Sequence, residues 1–146
     1  MRSRDHLLLA VPTYVLAVRY LSDFEEVLLS PFLFLYLLLV MVGSLFPDID
    51  WMVMKLLKRF GHRNPITHSV LIPTLFLISI APPNISKDLL VSYDAFTFGV
   101  TTHLFGDVVK TGNLVWIGKR YENLWYLVNG LLTFLLLYFT NFFRIF

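Results

Sequence analysis

The sequence predicts an all-α integral membrane helical bundle of about five membrane helices, some short or tilted. Three observations predict it. First, 57% of the 146 residues are hydrophobic, only 15% are charged, and the mean hydropathy is +0.69. Soluble domains run nearer about 45–50% apolar and about 25% charged, so this chain has too little polar surface to cover itself in water. Second, the apolar residues fall into five runs separated by short polar gaps. Third, no run alternates with the period of a barrel strand, and helices are then the way to pair every backbone amide within lipid. Residues 1–146 are read as a single multi-pass membrane domain, with no room for a second.

The first run, Leu7–Tyr20, follows a basic start in "MRSRDHLLLAVP". The start resembles a signal peptide, but no small-x-small cleavage site precedes Arg19, Asp23 and Glu25, so the segment is expected to be retained. The second run, Val27–Phe46, is long enough to cross a hydrocarbon core of about 30 Å and stops at Pro47. For the third, Ile66–Ala81, Asn64 is expected as the N-cap and Pro65 as the first helical residue, and "APPN" breaks the helix again. The fourth, Leu89–Val109, is interrupted by Asp94, and its Gly99 and Gly106 are expected to allow close helix packing. The fifth, Leu124–Phe143, is again of spanning length. Trp51, Trp116, Trp125 and Tyr126 lie near the predicted interfaces and read as membrane-belt aromatics.

Lysine and arginine placement predicts orientation. If all five runs cross, one side receives Arg2, Arg4, Lys55, Lys58, Arg59, Arg63, Lys110, Lys119 and Arg120, and the other only Arg19, Lys87 and Arg144. The bias puts the N-terminus and the two longer loops in the cytoplasm and the C-terminus outside. The net charge of +2 is scattered through loops, which fits topology rather than nucleic-acid binding; lipids are the expected surroundings. Oligomeric state is left open. The absence of cysteine excludes disulfides and thiolate ligands.

The rare polar residues gather on one face of this topology. His6 opens the first helix; Asp48 and Asp50 close the second; His62 and His68 lie in and just after the next loop; His103 and Asp107 lie near the end of the fourth helix. All four histidines and three of the seven aspartates therefore converge on the predicted cytoplasmic rim. His103 and Asp107, four apart, share a helix face, the usual way to present two ligands to one ion. Imidazole with carboxylate and no thiolate suits zinc, with manganese or iron as alternatives, and the number of candidates would allow one or two ions. A lone histidine at a helix start is usually a satisfied interface residue, and aspartates after a membrane helix are often solvated caps. Asp107, however, lies about one turn inside an apolar run, where a carboxylate is normally paired or functional. Arg63 and Lys110 could hold an anionic group at the same rim, though both are also ordinary topology residues. Thr67 and Ser69 flank His68 and read either as ligand-orienting or as capping groups. The sequence has no HExxH, GxSxG or P-loop pattern. A general base would then be an aspartate, a histidine or ion-activated water.

"LFPDIDW", "HRNPITHSVL" and "GVTTHLFGDVVKTG", in this order after an early "DHLLLAVPTY", resemble the membrane-bound metal-dependent hydrolases, also described as LexA-binding, inner-membrane-associated hydrolases (YdjM-like). The likeness runs from His6 to about Gly112. It implies His6, Asp48, Asp50, His62, His68, His103 and Asp107 as the metal site. Where relatives commonly carry a glycine after the HR pair, this chain has Asn64-Pro65. Nothing in the sequence reads as a docking surface for a repressor, so the LexA-binding description is not carried over. The reading is a divalent-metal hydrolase cutting an ester or phosphoester of a lipid or lipid-linked phosphate, with Asp48, Asp50 and Arg63 as catalytic candidates. The rival is a non-catalytic membrane protein whose His/Asp cluster binds metal or only supports helix packing.

Overall fold

A computed structural model of the protein describes residues 3–21, 29–49, 64–80, 86–109, 114, 117 and 119–145. All regular structure among them is helical: α1 (Ser3–Leu21), α2 (Leu33–Leu45), α3 (Leu71–Ile80), α4 (Lys87–Val109) and α5 (Glu122–Ile145). Short 3-10 turns follow α2 at Phe46–Ile49 and precede α5 at Lys119–Tyr121. Each of the five apolar runs overlaps one helix, but two helix starts differ markedly from expectation. Helix α2 is 13 residues long, about 20 Å, because Pro31 keeps the chain in turns until Phe32. Residues 65–70 are turns, so α3 is only 10 residues long and His68 lies ahead of it. Helix α4 runs unbroken through Asp94. Among the described residues one helix, over Lys119–Thr140, is long and apolar enough to cross a membrane, and Leu33–Ile49 forms a shorter apolar one.

Helix α4 is the centre of the bundle. It packs most extensively against α2 and α5 and also touches α1 and α3, while α1 leans on both α2 and α4. One apolar cluster joins Ala10 and Tyr14 of α1, Tyr36 and Val40 of α2, and Val91 and Ala95 of α4. A second joins Phe96, Val100 and Leu104 of α4 to Leu114 and to Tyr126 of α5. Polarity is inverted relative to a soluble protein. Phe34, Leu75, Ile78, Leu131 and Phe134 are exposed, while His6, Asp94, Thr97, His103 and Asp107 are buried. Thr140 of α5 donates to Asp94 Oδ1 at 2.7 Å, one of the polar contacts inside the bundle.

The α2–α4 crossing is backbone on backbone. A Cβ on Gly43 would collide with the Phe96 carbonyl, and one on Gly99 would collide with the Val40 carbonyl and come within 2.7 Å of Ser44 N. Neither obstacle is the movable end of a side chain, so both positions require glycine. Gly99 is therefore the packing residue its sequence context suggested, and its partner Gly43 is the one not anticipated. At Gly130, by contrast, a Cβ would meet only the edge of the Phe105 ring at 3.2 Å. Gly99→Ala is expected to cost about 1–3 kcal/mol or more through overpacking, and Gly130→Ala distinctly less; thermal unfolding of the two variants in detergent checks the order.

Candidate metal centre

Three helix ends and one turn bring five polar side chains together. His6 comes from the first turns of α1, Asp48 from the 3-10 turn after α2, His68 from the turn before α3, and His103 and Asp107 from α4. All five are drawn from the seven residues the sequence indicated. Asp50 and His62, and the catalytic candidate Arg63, lie outside the described residues, as do Lys110, Trp51 and Trp116.

Each histidine is presented by a local feature of the chain. Ser44 is in the last turn of α2, where carbonyls lose their helical partners. In the 3-10 pattern that follows, its carbonyl would take the amide proton of residue 47, but residue 47 is proline and has none. The His103 Nδ1–H fills the place, donating to Ser44 O at 2.7 Å. His68 is held by its own turn. Asn64 Oδ1 accepts the Ile66 amide at 2.9 Å, and Asn64 O accepts the His68 amide at 3.1 Å and His68 Nδ1–H at 3.1 Å. Thr67 Oγ1 donates to the same carbonyl and Ser69 Oγ donates to Ile66 O, so these two hydroxyls build the turn. His6 stacks on His103, with centroids 3.9 Å apart and planes 14° from parallel.

A carbonyl can only accept, so in His103 the proton is on Nδ1 and the lone pair on Nε2; at His68 the Asn64 carbonyl favours the same tautomer, with the Thr67 hydroxyl a second neighbour of Nδ1 at 3.2 Å. Those Nε2 atoms face carboxylates. His103 Nε2 is 3.4 Å from Asp107 Oδ2 and 3.9 Å from Asp48 Oδ1; His68 Nε2 is 3.8 Å from each of the same two oxygens; His6 Nε2 is 3.4 Å from Asp107 Oδ1. A charge-assisted hydrogen bond would be about 2.7–2.9 Å, well short of these separations. Neither ring nitrogen of His6, nor His103 Nε2, makes a hydrogen bond among the described residues, although these atoms are buried. Nitrogen lone pairs turned toward carboxylate oxygens repel unless a cation lies between them. With ligand bonds of about 2.0–2.2 Å, two donors of a tetrahedral ion are about 3.3–3.6 Å apart, the spacing of the two closest pairs here. The residues therefore fit a divalent ion. Two triads, His6–Asp48–His103 and His68–His103–Asp107, each bring one donor atom per residue within 4.8 Å of the others.

The five differ in access. The side chains of His6, His68, His103 and Asp107 are fully enclosed, and Asp48 is 17% exposed. Burial would raise the Asp48 carboxyl, but the imidazoles of His68 and His103 facing it outweigh burial and hold the group below the usual carboxylate range. Asp48 is thus an anion at neutral pH.

Helix α5 supplies support that the sequence reading missed. Trp125 Nε1–H donates to His68 O at 2.9 Å, and Tyr126 is buried with its ring edge-on to His68. Tyr126 is accordingly part of the bundle interior, and Trp125 is half-buried beside it. Asn129 Oδ1 accepts the Val70 amide at 3.0 Å while its Nδ2 donates to Trp125 O at 2.9 Å. One signal was available: Asn129 is an amide in the first half of a largely apolar run, and such residues are rarely idle.

The sequence profile of the family described as YdjM inner membrane protein matches residues 1–140. The chain belongs to that family. No curated protein and no solved structure matches it. This YdjM family member is thus an inner membrane protein by family, and its His/Asp groups could hold a metal ion.

His6→Phe keeps a stacked ring and removes two buried ring nitrogens that make no hydrogen bond. An unsatisfied buried polar group costs about 1–3 kcal/mol, so the metal-free variant is expected to be at least as stable as the wild type. A denaturant titration of the metal-free proteins checks this; a large loss would mean that His6 is a hydrogen-bonded structural histidine.

Proposed function

We propose that this YdjM family protein is a metal-dependent hydrolase of the inner membrane, acting at the cytoplasmic face on an ester or phosphoester of a lipid or lipid-linked phosphate. The observation that carries the reading is the arrangement of His6, Asp48, His68, His103 and Asp107 in one cluster, at separations longer than charge-assisted hydrogen bonds and suited to ligands. Zinc is the first candidate for this thiolate-free set, with manganese or iron as alternatives and one or two ions.

A divalent ion held here would supply Lewis-acid chemistry near neutral pH. The residues around it have separable tasks. His68 and His103 offer Nε2 because backbone carbonyls hold Nδ1. Such carbonyl partners fix ring orientation and raise ligand basicity. Asp107, enclosed between all three imidazoles, provides the negative charge that offsets the ion. Asp48, ionised and at the open edge, is the carboxylate available to accept a proton during hydrolysis. Asp50 is proposed to assist Asp48, His62 to join the ligand set, and Arg63 to hold the anionic group of the substrate.

The multi-pass reading rests on the inverted polarity of the bundle. Apolar side chains of α1, α2, α3 and α5 face outward, and polar ones are enclosed. A substrate diffusing within the bilayer suits a site at such a rim. The proposed topology has the N-terminus in the cytoplasm and the C-terminus outside. A reporter that is active only outside the cytoplasm should therefore work when fused to the C-terminus and fail when fused to the N-terminus.

Elemental mass spectrometry of detergent-purified protein tests the site, beside a folded Asp107→Asn, His103→Gln double variant. Near-stoichiometric zinc, manganese or iron in the wild type, lost in the variant, is expected, together with release of phosphate or fatty acid from lipid esters by the wild type only. A wild type that stays metal-free after incubation with each ion would leave the cluster as a helix-packing device.

A further inference from the structure

Helix α5 contributes none of the five clustered side chains, yet it reaches the cluster through two hydrogen bonds that have no counterpart in the sequence motifs. In a continuous helix the carbonyl of His68 would accept the amide proton of Ile72. Here Trp125 donates its indole N–H to that carbonyl at 2.9 Å. The start of α3 is likewise completed from outside. The amide of Val70, one residue before α3, donates to Asn129 Oδ1 at 3.0 Å, so Asn129 does for α3 what the third helical side chain does in a capping box. The amide of Asn129 is oriented by its own second bond, Nδ2 to Trp125 O. Trp125 and Asn129 are four apart, one above the other on the α5 face turned to the turn. They grip it on both sides of Ser69, while Tyr126, between them in sequence, backs the His68 ring edge-on at 5.8 Å.

We infer that Trp125 and Asn129 are positioning residues of the proposed metal centre, setting its ion affinity through His68. The inference rests on the metal-site reading above and deepens it. The His68 turn lies outside regular helix, and a set of bonds among residues 64–71 gives it its local shape. Its register relative to His103 and Asp107, both on α4, is fixed from α5, which packs along α4. A shift of the turn would move Nε2 of His68 away from the two carboxylate oxygens it faces at 3.8 Å. Groups that orient ligands in this way commonly change metal affinity by about 10–100-fold when removed.

The test is zinc affinity of the full-length protein in detergent, by competition with a chelator, for wild type, Trp125→Phe, Asn129→Leu and Thr133→Val. The first two keep the bulk and remove the hydrogen bonds to the turn. The third alters the same helix face but removes only bonds to the backbone of α5 itself. Affinity is expected to fall about 10–100-fold in the first two and to hold in the third. In a His68→Ala background Trp125→Phe should cost no further affinity, a result that general loss of packing would not give. Wild-type affinity in both folded variants, or an equal loss with His68 already gone, overturns the inference alone. If the variants do not fold, hydrogen exchange at the Val70 amide of the wild type decides. Zinc should slow it about tenfold if turn and site are coupled, and unchanged exchange refutes the coupling. A wild type that takes up no ion removes the metal site itself, and this inference with it.

Discussion

The approach of α2 to α4 at Gly43 and Gly99 is the constraint on which the rest depends. With no side chain on either side, the two backbones touch, and the last turn of α2 is brought against the ring of His103. His103 belongs to both potential ligand triads, and its orientation is set by a backbone carbonyl that Pro47 leaves without its 3-10 partner. A bulkier residue at position 43 or 99 would therefore act on the site without touching it, by moving the carbonyl that fixes the ring.

The electrostatics of the cluster follow from enclosure. In water, imidazoles and carboxylates at these separations would interact weakly; inside an apolar bundle their mutual repulsion or attraction is magnified by the low dielectric. Stacked rings 3.9 Å apart resist being charged together, and carboxylate oxygens 3.4 Å from ring nitrogens could share a cation with them. The arrangement is poor as a purely structural network, because hydrogen bonds of ordinary length are absent from its closest imidazole–carboxylate contacts. The buried Asp94–Thr140 pair elsewhere in the bundle shows the contrast: its 2.7 Å bond is what a structural polar contact between helices looks like.

Much of this architecture was legible because its helices carry long, distinctive apolar runs and because ionisable residues among them are conspicuous. His103 and Asp107 announce a shared face by their spacing, and His6, Asp48 and His68 announce themselves by scarcity. Two kinds of information were hidden. Helix ends were misplaced where local chemistry overrode hydropathy. Pro31 delayed α2, and the Asn64 turn used its own hydroxyls and carbonyls to postpone α3. Contacts between distant segments were also hidden, since no periodicity tells that Trp125 will meet the carbonyl of His68 or that Asn129 will cap another helix. Interface aromatics and interior aromatics look alike in a linear sequence; only the partner of the indole N–H separates them.

The cluster is assembled from residues 6, 48, 68, 103 and 107, and its bracing comes from 125 and 129, so it spans nearly the whole chain. A ribosome delivers these pieces in order, and the bracing arrives last. Until α5 has entered the bundle, the nascent protein holds imidazoles and carboxylates in an apolar setting with the His68 turn still ungripped. Polar groups so placed are costly in lipid. A chain cut short before α5 would retain every residue of the cluster and lack the two bonds that α5 makes to the His68 turn.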